Sequence, residues 1–328
     1  MTDTMIIMPT GITLALERMD RPVELLTTEN ECSPQLFQMQ VCFSINNIYA
    51  YLWPPVRVGG FVRLAIAVFL TACGVSAASL DGRNIHYTVS GRPGKTVVLI
   101  HGEACDETVW QAQVAALRQS YRVVTMDLPG HGQSDPAATP LGQYVFTQAV
   151  ETVLDELKVG RAVLAGHGMG GFVARRFAQL DPKRAAALVV IDAPFQVAPA
   201  RFGEMARQFR GPDGLAAREQ AIGYLFNKQS GKELQRRLTE MMMKAPERTV
   251  VESYASMEDF GDGWEAAVDA PTLALATGSG IMGGPESLQK FFTDVEYYLF
   301  TGAGHFLMLE RPEEVNRLLL DFLRRVRW

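Results

Sequence analysis

From Leu80 to the C-terminus, apolar runs of strand length alternate with amphipathic runs of helix length. Strands are predicted at Ile85–Val89, Thr96–Ile100, Arg122–Met126, Ala162–Ala165, Ala187–Ile191, Thr272–Ala276 and Glu296–Phe300. Helix-length patterns fall between them, near Trp110–Arg118, Gln143–Leu157, Phe172–Leu180, Glu286–Phe292 and Glu313–Arg324. Strands separated by helices return parallel to one another, and the helices then cover both faces of the sheet. The pattern therefore predicts an α/β domain built on a mostly parallel sheet.

The alternation stops between Pro194 and about Val268, where Glu, Arg, Lys and Met dominate. That stretch is predicted helical, with segments at Gly203–Phe209, Leu215–Phe226 and Lys232–Lys244. The domain organisation that follows is a core over residues 80–193 and 269–328, interrupted by a helical insertion over 194–268. Within the insertion, Phe226 and the run Met241-Met242-Met243 either wall an apolar pocket or simply pack the insertion onto the core.

Charge adds one exclusion. The formal net charge is −5 and Lys and Arg are scattered, which argues against a nucleic-acid surface and for a small-molecule partner. The four cysteines, Cys32, Cys42, Cys73 and Cys105, have neither paired spacing nor the density of a disulfide scaffold, so no metal or other cofactor is expected.

Residues 56–78 have the form of a secretory leader: Arg57 and Arg63, the apolar run Leu64–Phe69, then Leu70-Thr71-Ala72-Cys73. The apolar core is shorter than the ~20 residues of a membrane span. Cys73 resembles the lipidated cysteine of a bacterial lipoprotein leader, which implies an exported protein, periplasmic or membrane-anchored by lipidation at Cys73. Val75-Ser76-Ala77 offers an ordinary cleavage site before Ala78. Residues 1–55 lack clear periodicity and are expected to be a non-structural extension, as an over-extended start would give, with a signal anchor as the alternative.

The candidate chemistry lies in the loops. Gly166-His167-Gly168-Met169-Gly170-Gly171 follows the strand Ala162–Ala165 and opens a helix at Phe172. His101-Gly102-Glu103-Ala104 follows the strand Thr96–Ile100, and Asp127-Leu128-Pro129-Gly130-His131-Gly132-Gln133-Ser134-Asp135 follows the strand Arg122–Met126. Ala270-Pro271-Thr272-Leu273 opens a late strand, and Gly302-Ala303-Gly304-His305-Phe306 precedes the final helix. These five motifs, in this order, resemble the α/β-hydrolase family from about Leu80 to Trp328. The resemblance implies the α/β-hydrolase fold, a mostly parallel sheet of the eight-stranded type flanked by helices, with residues 194–268 as a helical cap.

In that family the turn is G-x-S-x-G, and its serine is the nucleophile. Gly168 occupies that position here, so no acyl-enzyme can form through residue 168. The resemblance implies His305 as the base and the backbone N–H groups of Glu103 and Met169 as oxyanion donors. His101, His131 and His167 then shape loops, and His86 is an ordinary strand residue. The acid usually follows the strand Thr272–Ala276, yet no carboxylate appears there until Glu286. Asp192, at the end of Ala187–Ile191, is therefore the expected orienting acid, as in certain haloalkane dehalogenases; the other reading is a cap on the turn into the insertion. Glu103 is expected to point to solvent, because an ionised carboxylate would repel an oxyanion, with a protonatable general acid as the alternative. Cys105 lacks an implied base and is not expected to replace the nucleophile.

Three functions fit these residues. His305, oriented by Asp192, can activate a water against an ester, lactone or similar electrophile. The same pair can abstract a proton in a lyase or cofactor-independent oxygenase, or the chain can be a catalytically silent binding protein. The histidine, at a loop position with no evident structural need for imidazole, favours an enzyme.

Overall fold

The computed structural model describes residues 74–328 continuously. Before them it describes only the backbone of three short antiparallel ladders, Ile6–Ile7 with Thr13–Leu14, Ser44–Ile45 with Ile48–Tyr49, and Val56–Val58 with Phe61–Arg63. The leader's apolar run Leu64–Phe69 and Cys73 lie outside the described residues.

Eight strands form the central sheet: β1 (Gly74–Leu80), β2 (Arg83–Gly91), β3 (Thr96–Ile100), β4 (Arg122–Met126), β5 (Ala162–His167), β6 (Ala185–Ile191), β7 (Thr272–Thr277) and β8 (Val295–Phe300). Their spatial order is β8-β7-β6-β5-β3-β4-β2-β1, parallel throughout except that β2 runs antiparallel to both β1 and β4. Every residue of β3, β5, β6 and β7 is buried. A strand covered on both faces needs no polar alternation, which is why these segments read as continuous apolar runs.

The helices of the core are α1 (Gln111–Leu117), α2 (Gln143–Glu156) and α3 (Met169–Leu180). The cap between β6 and β7 holds α4 (Pro199–Arg210), α5 (Gly214–Gly223), α6 (Lys232–Lys244) and α7 (Glu247–Ser256). The core resumes with α8 (Pro285–Leu288), α9 (Leu307–Glu310) and α10 (Pro312–Arg325). In α10, Val315, Leu318, Leu319, Phe322 and Leu323 are buried, the i, i+3, i+4, i+7, i+8 stripe of a helix laid on a sheet. Among the described residues no helix is long and apolar enough to cross a membrane.

Two departures from the sequence pattern have local causes. The sheet starts at Gly74, ahead of the predicted boundary at Leu80, because β1 pairs with β2 from Gly74↔Val89 to Leu80↔Arg83. Its sequence, Gly-Val-Ser-Ala-Ala-Ser-Leu, is small and polar, a weak strand signal redeemed by pairing at a sheet edge. The cap has a fourth helix, α7, where Thr249, Val250 and Val251 argue against helix locally. All three are buried, so tertiary packing decides. Helix α5 ends at Gly223 rather than reaching Phe226, whose ring instead lies 5.9 Å from that of Phe306.

The strand order also places the site. β3 lies between β4 and β5, so the chain leaves β3 in one direction and returns on the other side of it. At such a reversal the loops after the two central strands diverge and leave a crevice at their C-terminal ends. The loops concerned begin at His101 and Gly168.

Candidate active site

Gly168 joins β5 to α3 with φ 53° and ψ −121°. Glycine enters that region freely, whereas other residues are held there at a cost of ~1–3 kcal/mol. The neighbouring glycines answer a different need. A Cβ on Gly166 would stand 2.1 Å from the Gly170 carbonyl oxygen, one on Gly170 2.4 Å from that of Ile100, and one on Gly171 2.5 Å from Ala193 Cβ. These three let strand and helix touch. A Cβ on Gly168 would meet no backbone closer than Gly102 Cα at 3.7 Å, and would face His305 Nε2 at 3.2 Å. The turn thus aims residue 168 at an imidazole.

His305 follows β8, and its N–H donates to the Leu225 carbonyl at 2.9 Å. Its Nδ1 lies 2.8 Å from Asp192 Oδ2. A carboxylate oxygen only accepts, so Nδ1 donates and the neutral ring presents an acceptor Nε2 towards Gly168.

Asp192 stands one residue beyond β6 and is fully buried. Its φ of 42° is unusual for a side-chain-bearing residue, and the strain is held by bonds at both ends of the residue. The Asp192 N–H donates to the Leu275 carbonyl at 2.8 Å. Oδ1 accepts from the Thr277 N–H at 3.1 Å and from Thr277 Oγ1 at 3.0 Å. Three hydrogen bonds, two from Thr277 and one from His305, therefore support the buried negative charge. Thr277 was not singled out from sequence. It ends β7, the strand after which the family's acid usually comes, and that position was the available signal.

The remaining histidines are structural. His167 Nε2 lies 3.0 Å from the His305 carbonyl and must donate to it, which ties the elbow to the base's loop. Burial, then the neighbouring His305, push the His167 imidazole well below its usual range, so it stays neutral. His101 Nδ1 donates to the Gly102 carbonyl at 2.7 Å while Nε2 accepts the Leu128 N–H at 2.9 Å. His131 is buried and its imidazole is pushed down to about 3, mainly by desolvation. His86 is more than a strand residue, with Nε2 3.1 Å from Glu107 Oε1.

Met169 is the first residue of α3, so its N–H has no acceptor within the helix. Gly102 lies against the elbow, which brings the Glu103 segment beside it. The Glu103 side chain departs from expectation. The half-buried side chain turns under the cap rather than out into solvent: its Oε1 is buried without a hydrogen-bond partner, and the residue lines a small cavity there. The cause is the apolar cap above the loop, with Phe209, Ile222, Met242 and Val250 in the cavity wall. Desolvation pushes the Glu103 carboxyl up to about 8, against a smaller opposing pull from Arg218. Burial likewise raises the Cys105 thiol, the opposite of nucleophile activation.

Met242 also lines the cavity, whereas Met241 lines a groove of ≈ 660 Å³ between α6 and the Asp127–Pro136 loop. Neither Gly168 nor His305 lines that groove. Among the described residues no three His, Cys, Asp or Glu side chains gather as a metal site.

The family model described as the alpha/beta hydrolase family matches residues 97–318. The chain belongs to the alpha/beta hydrolase family. It is 28% identical over 262 residues to the 2-hydroxy-6-oxononadienedioate/2-hydroxy-6-oxononatrienedioate hydrolase 2 of Pseudomonas putida, covering 73% of this chain and 91% of that protein. It is also 28% identical over 270 residues to the dihydrolipoyllysine-residue acetyltransferase component of the acetoin cleaving system of Pseudomonas putida, covering 76% of this chain and 69% of that protein. Among solved structures, the enol-lactonase of Burkholderia xenovorans LB400 superposes with a TM-score of 0.66 at 25% identity, over 76% of this chain and 100% of the other.

Proposed function

We propose that this alpha/beta hydrolase cleaves a small ester or lactone with a water activated by His305 and Asp192, without a covalent intermediate at residue 168. The observation that carries the reading is the His305 ring, held through Nδ1 by Asp192 at 2.8 Å, with its acceptor Nε2 facing the Cβ position of Gly168 at 3.2 Å. In this reading a water stands beside Gly168, gives its proton to Nε2 and attacks a carbonyl carbon through its oxygen. The N–H groups of Met169 and Glu103 would receive the oxyanion. The hydrolase relative supports hydrolysis, and the similar enol-lactonase supports the ester or lactone class.

General-base help is worth about 10²–10⁴-fold, so the reaction leans on oxyanion stabilisation and on a reactive carbonyl. A panel of esters, lactones and epoxides, offered to the purified protein and to His305→Ala, tests the reading. Turnover of an ester or lactone that falls by about 10²-fold or more in the variant supports it. No turnover of any member would favour the silent binder.

Export remains part of the proposal. Cleavage before Cys73 leaves β1 whole, whereas cleavage before Ala78 removes Gly74–Ala77 and their pairing with His86–Val89. The fold therefore supports Cys73 as the first mature residue. Mass spectrometry of the native N-terminus decides it, and intact peptides from residues 1–55 in the mature protein would contradict it.

A further inference from the structure

A second group of side chains stands beside the dyad. Glu103 reaches under the cap into a cavity of ≈ 10 Å³, room for about one water. The titratable and charged groups facing it are Arg218 of α5, Tyr254 of α7 and Cys105 of its own loop. Burial raises the Tyr254 hydroxyl and the Cys105 thiol, so both are neutral at pH 7. Arg218 spends donors elsewhere: its Nη2 donates to the Met242 and Ala245 carbonyls at 3.0 and 2.9 Å. Glu103 Oε1 is buried without a hydrogen-bond partner. An ionised carboxylate there would leave a buried oxygen without a hydrogen bond, whereas a carboxylic acid in the same place is a hydrogen-bond and proton donor.

Neither Gly168 nor His305 lines the cavity, but two backbone contacts join its wall to the dyad. Leu225, in its wall, accepts the His305 N–H at 2.9 Å, and Gly102, next to Glu103, abuts the elbow.

We propose that Glu103 is a further catalytic residue, a neutral acid that protonates the alcohol leaving from a substrate attacked over Gly168. The proposal rests on the hydrolase reading and narrows the substrate to esters or lactones of unactivated alkyl alcohols. As the water oxygen bonds to the carbonyl carbon, His305 Nε2 takes the water's proton. The carbon–oxygen bond to the alcohol then breaks, its electron pair goes to the departing oxygen, and the Glu103 proton joins it. Solvent returns the proton from His305 to Glu103, so the sum is ester plus water to acid plus alcohol. A serine enzyme recycles its histidine proton to the leaving group; a separate acid lets this site hold base and acid apart before attack.

The test compares an alkyl ester with an aryl ester of the same acid, because an aryl alcohol leaves without protonation. Glu103→Gln keeps the shape and an N–H donor but has no proton to give. We expect kcat for the alkyl ester to fall by about 10²–10⁴-fold while that for the aryl ester changes by less than about threefold. The wild-type alkyl rate should also decline above pH of about 8, with that limb absent for the aryl ester. Glu103→Asp, a shorter acid, should restore part of the alkyl rate. Equal losses on both esters, or an alkaline limb that survives Glu103→Gln, would overturn the acid role and leave the dyad reading standing. Turnover of neither ester by the wild type would bring down both.

Discussion

Replacing Gly168 by serine rebuilds the side chain that the turn is shaped to carry, and its consequences can be worked from the geometry. The backbone at φ 53° and ψ −121° is free for glycine, so the substitution adds ~1–3 kcal/mol of strain. For a domain of this size 1 kcal/mol moves Tm by roughly 2–4 °C, giving an expected drop of about 2–12 °C. The new Cβ meets His305 Nε2 at 3.2 Å, so the ring must yield by a few tenths of an ångström. Its bond to Asp192 is the tether that limits how far it moves. If the tether holds, the serine hydroxyl gains a base, and pre-steady-state hydrolysis of an activated aryl ester should show a burst of aryl alcohol approaching one equivalent. Gly168→Ala is the control, with the same strain and no hydroxyl. It should lose Tm by a similar amount, show no burst, and fall below wild type because its methyl occupies the water's place. Wild-type turnover in Gly168→Ala would refute the water position. A folded Gly168→Ser without a burst would refute the claim that His305 is competent as a base.

Two further outcomes follow from the buried acids. The Glu103 carboxyl is raised in the folded state, from 4.5 to about 8, so its favourable contribution is full below pH 4.5 and is lost as pH rises through about 8. Between pH 4.5 and 7 that loss amounts to roughly 3 kcal/mol as an upper bound, and Gln does not titrate, so the Tm advantage of Glu103→Gln should widen from pH 5 to pH 8; parallel curves would contradict the buried neutral acid. Thr277→Val removes one donor from the Asp192 carboxylate, worth about 1.5–3 kcal/mol, and should lower kcat by roughly tenfold or more with little change in KM. Thr277→Ser should recover most of it, and an unchanged kcat in Thr277→Val would deny the threonine a positioning role.

The sheet was legible in the sequence because its central strands are covered on both faces, and an unbroken run such as Thr-Val-Val-Leu-Ile has no other stable use between Gly-rich loops. β1 was not, because small residues at an edge strand take their conformation from β2 rather than from their own pattern. The cap was legible as helical but not in its count, since α7 is held by the burial of Thr249, Val250 and Val251 against local preference. Asp192 and His305 could be placed because a motif and a missing carboxylate narrow the choice. Thr277 and the inward turn of Glu103 could not, since they depend on which side chains the cap brings down upon the loops, and that is a property of packing between segments distant in the chain.

The central claim is that water, and not the protein, attacks the substrate. Stopped-flow hydrolysis of an activated ester by the wild-type protein, with intact-mass analysis of the protein during turnover, tests it most directly. The account predicts linear product release from the first turnover, no mass adduct, and a rate that drops by about 10²–10⁴-fold in His305→Ala. A burst with an acyl adduct on the wild-type chain would contradict it.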